Sequence, residues 1–259
     1  MPDEQPVTVA HDGTVAVISM AVLGRRNVLS ADMIAALMNA LDGTQSVRAI
    51  VLRAAAGARV WCAGFDIGAL SPGFDPLAPD GALQALFHRV QDHPAPVIAM
   101  VHGSAWGGGA DLALRCDIVI GDPTCAFAFT PAKLGLPYDA GGLLNVVMRA
   151  GPAAALEMFC TADPVQADRA LRLGLLNHLV PEAELEPFTL AMARRIAANA
   201  PLSVASAKQQ VRALAAATSL TAATAQHLAE GRRRALDSED FGEGLAAFRA
   251  RRTPDFKGR

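Results

Sequence analysis

Cysteine and histidine are too scarce and too scattered in this chain to suggest a disulfide framework or a metal site. The four cysteines stand at positions 62, 116, 125 and 160, and no two of them form a CxxC pair. The six histidines are spread along the sequence in the same way, which gives metal binding little support. We therefore expect reduced cysteines used for packing, and no bound metal.

An excess of charge of either sign is also lacking. The formal net charge is −2 at pH 7 and the isoelectric point is near 6.3, which offers no broad surface for nucleic acid or an anionic membrane. The first ten residues are acidic where a secretory signal would be basic. No uninterrupted apolar run approaches the roughly 20 residues of a membrane helix. We expect a cytoplasmic protein without a nucleic-acid or membrane partner.

The chain is nevertheless rich in apolar residues, and their spacing predicts an α/β protein. The 259 residues are 52% hydrophobic, enough for a sizeable core. Strand-like and helical patterns alternate through residues 1–195, and residues 196–259 read as helix and turn, so we predict an α/β core with a C-terminal helical segment. The strands are predicted at 7–10, 14–20, 49–52, 97–101, 118–120 and 125–129. The core helices are predicted at 30–43, 81–93 and 142–150, with two more that begin at Pro152 and Pro164. Residues 71–81 are predicted to form a mobile loop over the site.

Two glycine-containing turns each follow a strand-like run: CAGFD at 62–66 and WGGGAD at 106–111. Glycine lets a ligand approach the backbone, and the first N–H groups of a helix have no intrahelical partner. If the two turns converge, they form an oxyanion hole for an enolate or a tetrahedral intermediate. The alternative is two tight turns before helices. The spacing matches neither a phosphate-binding P-loop, nor a dinucleotide fingerprint, nor a serine-hydrolase elbow.

Four stretches together resemble the crotonase (enoyl-CoA hydratase/isomerase) superfamily, over about residue 6 to the C-terminus. They are residues 27–30 (NVLS), 62–67 (CAGFDI), 96–117 and 134–137 (LGLP). The resemblance implies a crotonase (ClpP-like) fold, which is a spiral of ββα units with a C-terminal helical segment for oligomerisation. It also implies a homotrimer or a dimer of trimers.

The resemblance further implies an acyl-CoA substrate whose thioester oxygen is held by two backbone N–H groups, at Phe65 and Gly108. Hydratases of this family use two glutamates, and the matching positions here are Asp111 and Pro131. Because proline cannot move a proton, the sequence argues against two-glutamate hydration.

The stretch from Thr130 to Tyr138 is instead similar to bacterial methylmalonyl-CoA decarboxylases of the superfamily, as are residues 103–108, 175–178 and 233–241. Decarboxylation needs no base, because loss of CO2 itself generates the enolate, and proline at 131 avoids a charge near the substrate carboxylate. By resemblance, Tyr138 orients that carboxylate and Thr130 adds a hydrogen bond, while Asp111 or water reprotonates the carbon. Alternatively, Tyr138 is a phenol anchored by one hydrogen bond and Thr130 a strand-end residue.

The CoA portion should be held by two loops and by the C-terminal residues, so CoA enters as part of the substrate and no cofactor is expected. The alternative for the arginine of the first loop, Arg25, is a solvated surface residue. The alternative for the C-terminal residues is a frayed tail. The positions implied by the resemblance are Arg25, Asn27, Leu29, Ala63, Asp66 and Ile67, with Phe256 and Lys257 reaching a neighbouring subunit.

Two features fit the decarboxylase interpretation less well. Phe65 stands where the decarboxylases have histidine, and Asp139 matches an aspartate that acts in dienoyl-CoA isomerases and 4-chlorobenzoyl-CoA dehalogenases. Our main hypothesis is conversion of methylmalonyl-CoA to propionyl-CoA. The alternatives are an enoyl-CoA hydratase or isomerase that uses Asp111 and Asp139, or a non-enzymatic scaffold that binds CoA or RNA. Asp139 as a helix N-cap is the structural alternative for that residue.

Overall fold

The computed structural model describes residues 5–216 and 222–259 of the chain. This part contains ten strands, nine α-helices and three short 3-10 turns. The strands are β1 (Val7–Asp12), β2 (Val15–Met20), β3 (Ala49–Ala54), β4 (Val60–Cys62), β5 (Val97–Val101), β6 (Ser104–Trp106), β7 (Ile118–Gly121), β8 (Ala126–Ala128), β9 (Val165–Gln166) and β10 (His178–Leu179). The helices are α1 (Ala31–Asp42), α2 (Ala82–Asp92), α3 (Gly108–Arg115), α4 (Ala140–Thr161), α5 (Ala167–Arg172), α6 (Glu182–Ala198), α7 (Pro201–Ala216), α8 (Ala222–Leu236) and α9 (Glu239–Ala250).

The strands form two sheets, one with the order β1-β2-β3-β5-β7-β10 and one with the order β4-β6-β8-β9. Three times in succession, one strand enters the first sheet, the next enters the second sheet, and a helix follows: β3-β4-α2, β5-β6-α3 and β7-β8-α4. Neighbouring strands are parallel except at β1, which is antiparallel to β2, and at β9, which is antiparallel to β8. This is the spiral of ββα units that the resemblance implies.

Both faces of the larger sheet are covered where its central strands are apolar, as at residues 49–52 of β3 and throughout β5. Along β3, Ile50 and Leu52 belong to the cluster that includes α1, α2 and α3, whereas Ala49 and Val51 face α6. Such an alternation of side chains between two packed faces explains why residues 49–52 show no polar face.

The N-terminal hairpin, the helix beginning at residue 31 and the strand at 97–101 are confirmed. Ser30 caps α1 by accepting a hydrogen bond from Met33 N at 3.3 Å, and Gly13 provides the positive φ of 61° in the hairpin turn. The three-residue strands β4 and β6 were not predicted, and each ends at the first residue of a segment interpreted as a glycine-containing turn.

The helices predicted at 142–150 and from Pro152 are both present as the two parts of α4, which begins at Ala140, two residues earlier than predicted, and is kinked between them. Gly151 has a φ of 79°, and Pro152 restarts the helix after it. The next predicted helix starts three residues later than Pro164, since Val165 first pairs with Phe127 of β8.

Among the described residues, α4 is the one helix with the length and composition that could cross a membrane, with a mean hydropathy of 1.3 over an 18-residue window. Val146, Ala155 and Met158 of α4 nevertheless belong to the main core. Arg149 of the same helix donates hydrogen bonds to two carbonyl oxygens at the end of α3, at 2.9 Å and 2.8 Å. These contacts make α4 a packed element of the α/β core in this structure.

The expected division between residues 195 and 196 falls inside α6, whose Ala193 and Ala197 pack on the larger sheet. We therefore propose that the core ends with α6 and that the helical segment begins at Pro201. Helix α9 returns to the core, where Leu236, Phe241 and Leu245 form a cluster with Leu70 and Leu136. The helical segment thus covers one side of the same chain's core.

Candidate active site

A mainly apolar cavity lies where the two glycine turns meet the residues after β8. The loop at 71–81 provides one wall, and the first turn of α3 provides the floor. The cavity is small, with a volume of about 60 Å³. Its lining consists of Ala63, Gly64, Phe65, Ile67, Leu70, Pro76, Leu77, Leu83, Gly107, Gly108, Thr130, Pro131, Leu134, Leu136 and Tyr138.

The two N–H groups predicted to form an oxyanion hole, those of Phe65 and Gly108, lie side by side in this cavity. A Cβ added to Gly64 would be 3.3 Å from Gly108 N, and one added to Gly108 would be 3.6 Å from Phe65 N. Neither N–H donates a backbone hydrogen bond within the described part of the chain. Gly64 has a φ of 87° and would place a Cβ against Trp106 O, so only glycine fits this turn. The turns therefore converge, and both donors are free.

Tyr138 lies at the inner end of the cavity with its hydroxyl directed at a buried carboxylate. The ring packs edge-on against Phe129 at 5.5 Å and beside Phe159 at 5.0 Å between centroids. The hydroxyl donates to Asp111 Oδ2 at 3.2 Å. Burial, together with the negative charge of Asp111, raises the pKa of Tyr138 well above its usual value. The phenol is therefore a protonated hydrogen-bond donor at physiological pH.

Asp111 is fully buried and forms an ion pair with Arg115, one helical turn further along α3. Arg115 Nε lies 2.9 Å from Asp111 Oδ1 and Nη2 lies 3.3 Å from Oδ2, while Asn145 donates from 3.4 Å. Burial raises the pKa of Asp111, and the guanidinium opposes this shift. Arg115 was not among the predicted site residues, although its spacing of four from Asp111 on a helix is a signal for such a pair.

Asp139 is the N-cap of α4, which was the structural alternative for this residue. Its Oδ2 accepts a hydrogen bond from Gly142 N at 3.1 Å, and its Oδ1 is buried with no partner in residues 5–216 and 222–259. Neither Asp139 nor Asp111 lines the cavity, and the described residues that do line it include no carboxylate. The two aspartates proposed for isomerase chemistry thus lie behind the cavity wall.

Thr130 and Pro131 follow β8 and line the cavity. Thr130 precedes a 3-10 turn that begins at Pro131, and its hydroxyl does not cap that turn. A hydroxyl that is not used for capping is available to a ligand. The predicted hydrogen-bonding pair, Thr130 and Tyr138, is therefore brought together in one cavity.

The chain is similar to known proteins over nearly all of its length. The model of the family described as "Enoyl-CoA hydratase/isomerase" matches residues 10–259. Methylmalonyl-CoA decarboxylase of Escherichia coli (strain K12) is 40% identical over 257 residues, 98% of each chain. Carnitinyl-CoA dehydratase of Proteus mirabilis (strain HI4320) is 38% identical over 220 residues, 79% of each chain. The chain belongs to the enoyl-CoA hydratase/isomerase family.

Solved structures confirm the crotonase fold for this family member. A structure of methylmalonyl-CoA decarboxylase in complex with 2-nitronate-propionyl-CoA has a TM-score of 0.95 and 40% identity, over 98% of this chain and 99% of that chain. The fold class and the family predicted from the sequence are therefore correct, and the chain is a crotonase-family enzyme.

In this crotonase-family enzyme, the loop after β2 lies beside the Phe65 turn. Leu29 N donates to Gly64 O at 2.7 Å, and Ala63 N donates to Arg26 O at 3.0 Å. Asn27 and Leu29 have fully buried side chains. These two side chains can therefore affect a CoA site only by fixing the position of the loop. Cavity residues Ala63 and Ile67 are exposed to a ligand.

Arg25 is one of two consecutive arginines in this loop, and it is already paired. Its Nη2 lies 2.7 Å from Asp66 Oδ2, with 59% of the arginine side chain exposed. Since an exposed pair is weak, the guanidinium remains free to exchange Asp66 for a phosphate. Two of the residues expected to contact CoA are thus in contact with each other, beside the Phe65 turn.

The expected C-terminal contacts lie on the surface of their own chain. Lys257 N donates to Asp240 Oδ1 at 2.6 Å, and Lys257 Nζ lies 2.7 Å from Asp255. Phe256 is 39% exposed. Within the described chain neither residue reaches the cavity, so their contribution to a CoA site in a neighbouring subunit stays a prediction.

Proposed function

We propose that this enzyme decarboxylates a malonyl-type CoA thioester, with methylmalonyl-CoA as the preferred substrate and propionyl-CoA as the product. The proposal is carried by the chemistry of the cavity: among the described lining residues it offers two free N–H groups and two hydroxyls, and no carboxylate. Reactions of an acyl-CoA that start by proton abstraction need a base in contact with the substrate. Decarboxylation generates the same enolate without one.

The N–H groups of Phe65 and Gly108 would hold the thioester oxygen while negative charge develops on it. The bond between the carboxylate and the α-carbon breaks, its electron pair enters the enolate, and CO2 leaves. Donors fixed before the reaction are worth most for such a developing charge, because they need no reorganisation.

Thr130 and Tyr138 would set the substrate carboxylate out of the plane of the thioester. In the structure the Tyr138 hydrogen is given to Asp111, so a bound carboxylate must compete with Asp111 for it. Arg115 balances the charge of Asp111, which keeps the carboxylate from facing an unpaired negative group.

A water molecule is the better candidate for reprotonating the α-carbon. Asp111 is fully buried, paired with Arg115 and separated from the cavity by Tyr138. Asp139 is used to cap α4. The hydratase or isomerase alternative needs both carboxylates to face the substrate, so the observed contacts count against it. The similarity to a decarboxylase over 98% of both chains supports the main proposal.

We also propose a homotrimer or a dimer of trimers, located in the cytoplasm and working without a cofactor. The exposed face of α7 supports the assembly, since Leu202, Val211 and Leu214 are 86%, 66% and 75% exposed. Apolar patches of this kind mark protein interfaces. Sedimentation equilibrium should give a mass of three or six chains, and a monomer would contradict the proposal.

The test is a mass-spectrometric end-point assay that offers the purified protein methylmalonyl-CoA, crotonyl-CoA and a 3,5-dienoyl-CoA in parallel. We expect propionyl-CoA and CO2 from the first substrate alone. The Tyr138→Phe variant, which removes one hydroxyl and leaves the packed ring, should form propionyl-CoA about tenfold or more slowly. Addition of water to crotonyl-CoA, or a bond shift in the diene, with methylmalonyl-CoA untouched would overturn the proposal. Unchanged turnover by Tyr138→Phe would remove Tyr138 from the mechanism.

A further inference from the structure

The guanidinium of Arg232, on α8, joins two walls of the cavity. It donates to both carboxylate oxygens of Asp75, with 3.1 Å between Nε and Oδ2, and its Nη1 donates to Pro137 O at 2.9 Å. The side chains of the ion pair are only 16% and 19% exposed. Since the planar fork of arginine is suited to holding a carboxylate with two donors, the third donor is left for the carbonyl.

Both partners of Arg232 are adjacent in sequence to residues that line the cavity. Asp75 precedes Pro76 and Leu77, and its Oδ1 also accepts a hydrogen bond from Leu77 N at 2.9 Å. Pro137 precedes Tyr138. One side chain from the C-terminal helices therefore fixes the outer loop and the turn that carries the catalytic hydroxyl.

The loop at 71–81 has few other contacts that would hold it in place. It forms no helix or strand. Phe74 stacks on Phe65 at 6.2 Å between ring centroids, yet Phe74 is 43% exposed. Leu77 is the residue of the loop that belongs to the main core, and it also lines the cavity. A segment with few buried contacts opens at low cost in free energy, and the partly buried ion pair with Arg232 is the main polar attachment of this loop to the helical segment.

We infer that Arg232 is a positioning residue that holds the loop at 71–81 closed over the acyl group and thereby limits the size of the substituent on the substrate's α-carbon. The inference deepens the proposed function, on which it depends only for the identity of the acyl group. If the closed loop is the binding-competent state, the affinity for an acyl-CoA falls in proportion to the closed fraction.

The first experiment compares Arg232→Gln with Arg233→Gln, a matched control whose side chain is exposed on the same helix. Titration calorimetry measures the affinity for propionyl-CoA and for free CoA, and hydrogen–deuterium exchange is followed in peptides that cover the loop at 71–81. For Arg232→Gln we expect about tenfold weaker binding of propionyl-CoA, free CoA bound as by the wild type, and faster exchange in the loop. Arg233→Gln should behave as the wild type in all three measurements.

Asp75→Asn tests the same contact from the other side. It should reproduce the effects of Arg232→Gln, and the double variant should be no worse than either single variant, because the two residues act as one unit. Arg232→Lys covers the case in which Arg232→Gln does not fold: it keeps a charge opposite Asp75 but cannot also reach Pro137 O, and an intermediate loss of affinity is expected.

Specificity gives an independent measurement. The ratio of kcat/KM for methylmalonyl-CoA over ethylmalonyl-CoA should fall in Arg232→Gln and stay constant in Arg233→Gln. Unchanged loop exchange and propionyl-CoA affinity in Arg232→Gln would overturn the inference, as would an equal loss of affinity for free CoA. If the wild type does not turn over methylmalonyl-CoA at all, the proposed function fails, whereas the binding and exchange measurements still decide the role of Arg232.

Discussion

Replacing Gly142 by alanine should disable the site while leaving the chain folded. Gly142 lies in the first turn of α4, next to the ring of Tyr138. A Cβ at this position would overlap most with Tyr138 Cε1, and it would also lie 2.8 Å from Tyr138 Cδ1 and 2.9 Å from Asp111 Oδ2, whereas ordinary contact begins at 3.4 Å. The ring must therefore retreat by roughly 1 Å, a misplacement that costs about 100-fold in rate. We expect kcat/KM for propionyl-CoA formation to fall by about that factor.

The stability of Gly142→Ala should change much less than its activity. Overpacking costs about 1–3 kcal/mol, and alanine in place of glycine within a helix returns about 1 kcal/mol, so the free energy of unfolding in urea should fall by no more than about 2 kcal/mol. Gly242→Ala on α9 is the matched control, because an added Cβ there meets nothing within 4 Å. If Gly142→Ala keeps kcat/KM within about twofold of the wild type, then the position of the Tyr138 ring does not govern the reaction.

Burial and the charge of Asp111 raise the pKa of Tyr138 well above its usual value, so the phenol stays protonated as the pH rises, and kcat/KM should show no alkaline limb below about pH 10. An alkaline limb that Tyr138→Phe abolishes would contradict this. Asp111→Asn should lower the free energy of unfolding by about 3 kcal/mol, because Arg115 keeps a buried charge without its carboxylate; a loss below about 1 kcal/mol in urea denaturation would show that the pair is not essential to stability. Burial raises the pKa of the thiols of Cys62, Cys116 and Cys125 to about 12, whereas Cys160 is exposed. Iodoacetamide at pH 8 should therefore label only Cys160 in the native protein and all four cysteines after unfolding. Labelling of two or more sites in mass spectra of the native protein would argue against that burial.

Elements with a strong local signal were predicted from the sequence. The N-terminal hairpin has an Asp-Gly turn, and α1 has both a serine cap and a regular apolar stripe that includes Leu37 and Leu41. The strands β4 and β6 have three residues each, which is too short for any periodicity to show. Their strand conformation depends on pairing with each other and with β8, which is a tertiary property.

The oxyanion hole formed by backbone N–H groups was predictable because the glycines that it requires are visible in the sequence. The turns around Gly64 and Gly108 require a residue without a side chain, and that requirement is visible in the sequence. Arg232 was not found, because nothing near it in the sequence indicates that Asp75 and Pro137 O lie within reach. The assignment of Asp111 and Asp139 depended in the same way on partners that only the fold supplies.

Helix α9, near the C-terminus, supports cavity-lining residues that are made much earlier in the chain. Phe241 is fully buried against Leu70 and Leu136, and Gly244 lets the helix lie directly on Leu134 O. A protein emerges from the ribosome N-terminus first, so both sheets and the two glycine turns can assemble before α9 has been synthesised. During that interval the apolar residues beneath α9 face solvent, and Leu70 and Leu136, which line the cavity, lack their packing partner. The nascent chain therefore acquires its fold before it acquires a complete binding site, and its period of greatest exposure to aggregation ends only when α9 has emerged.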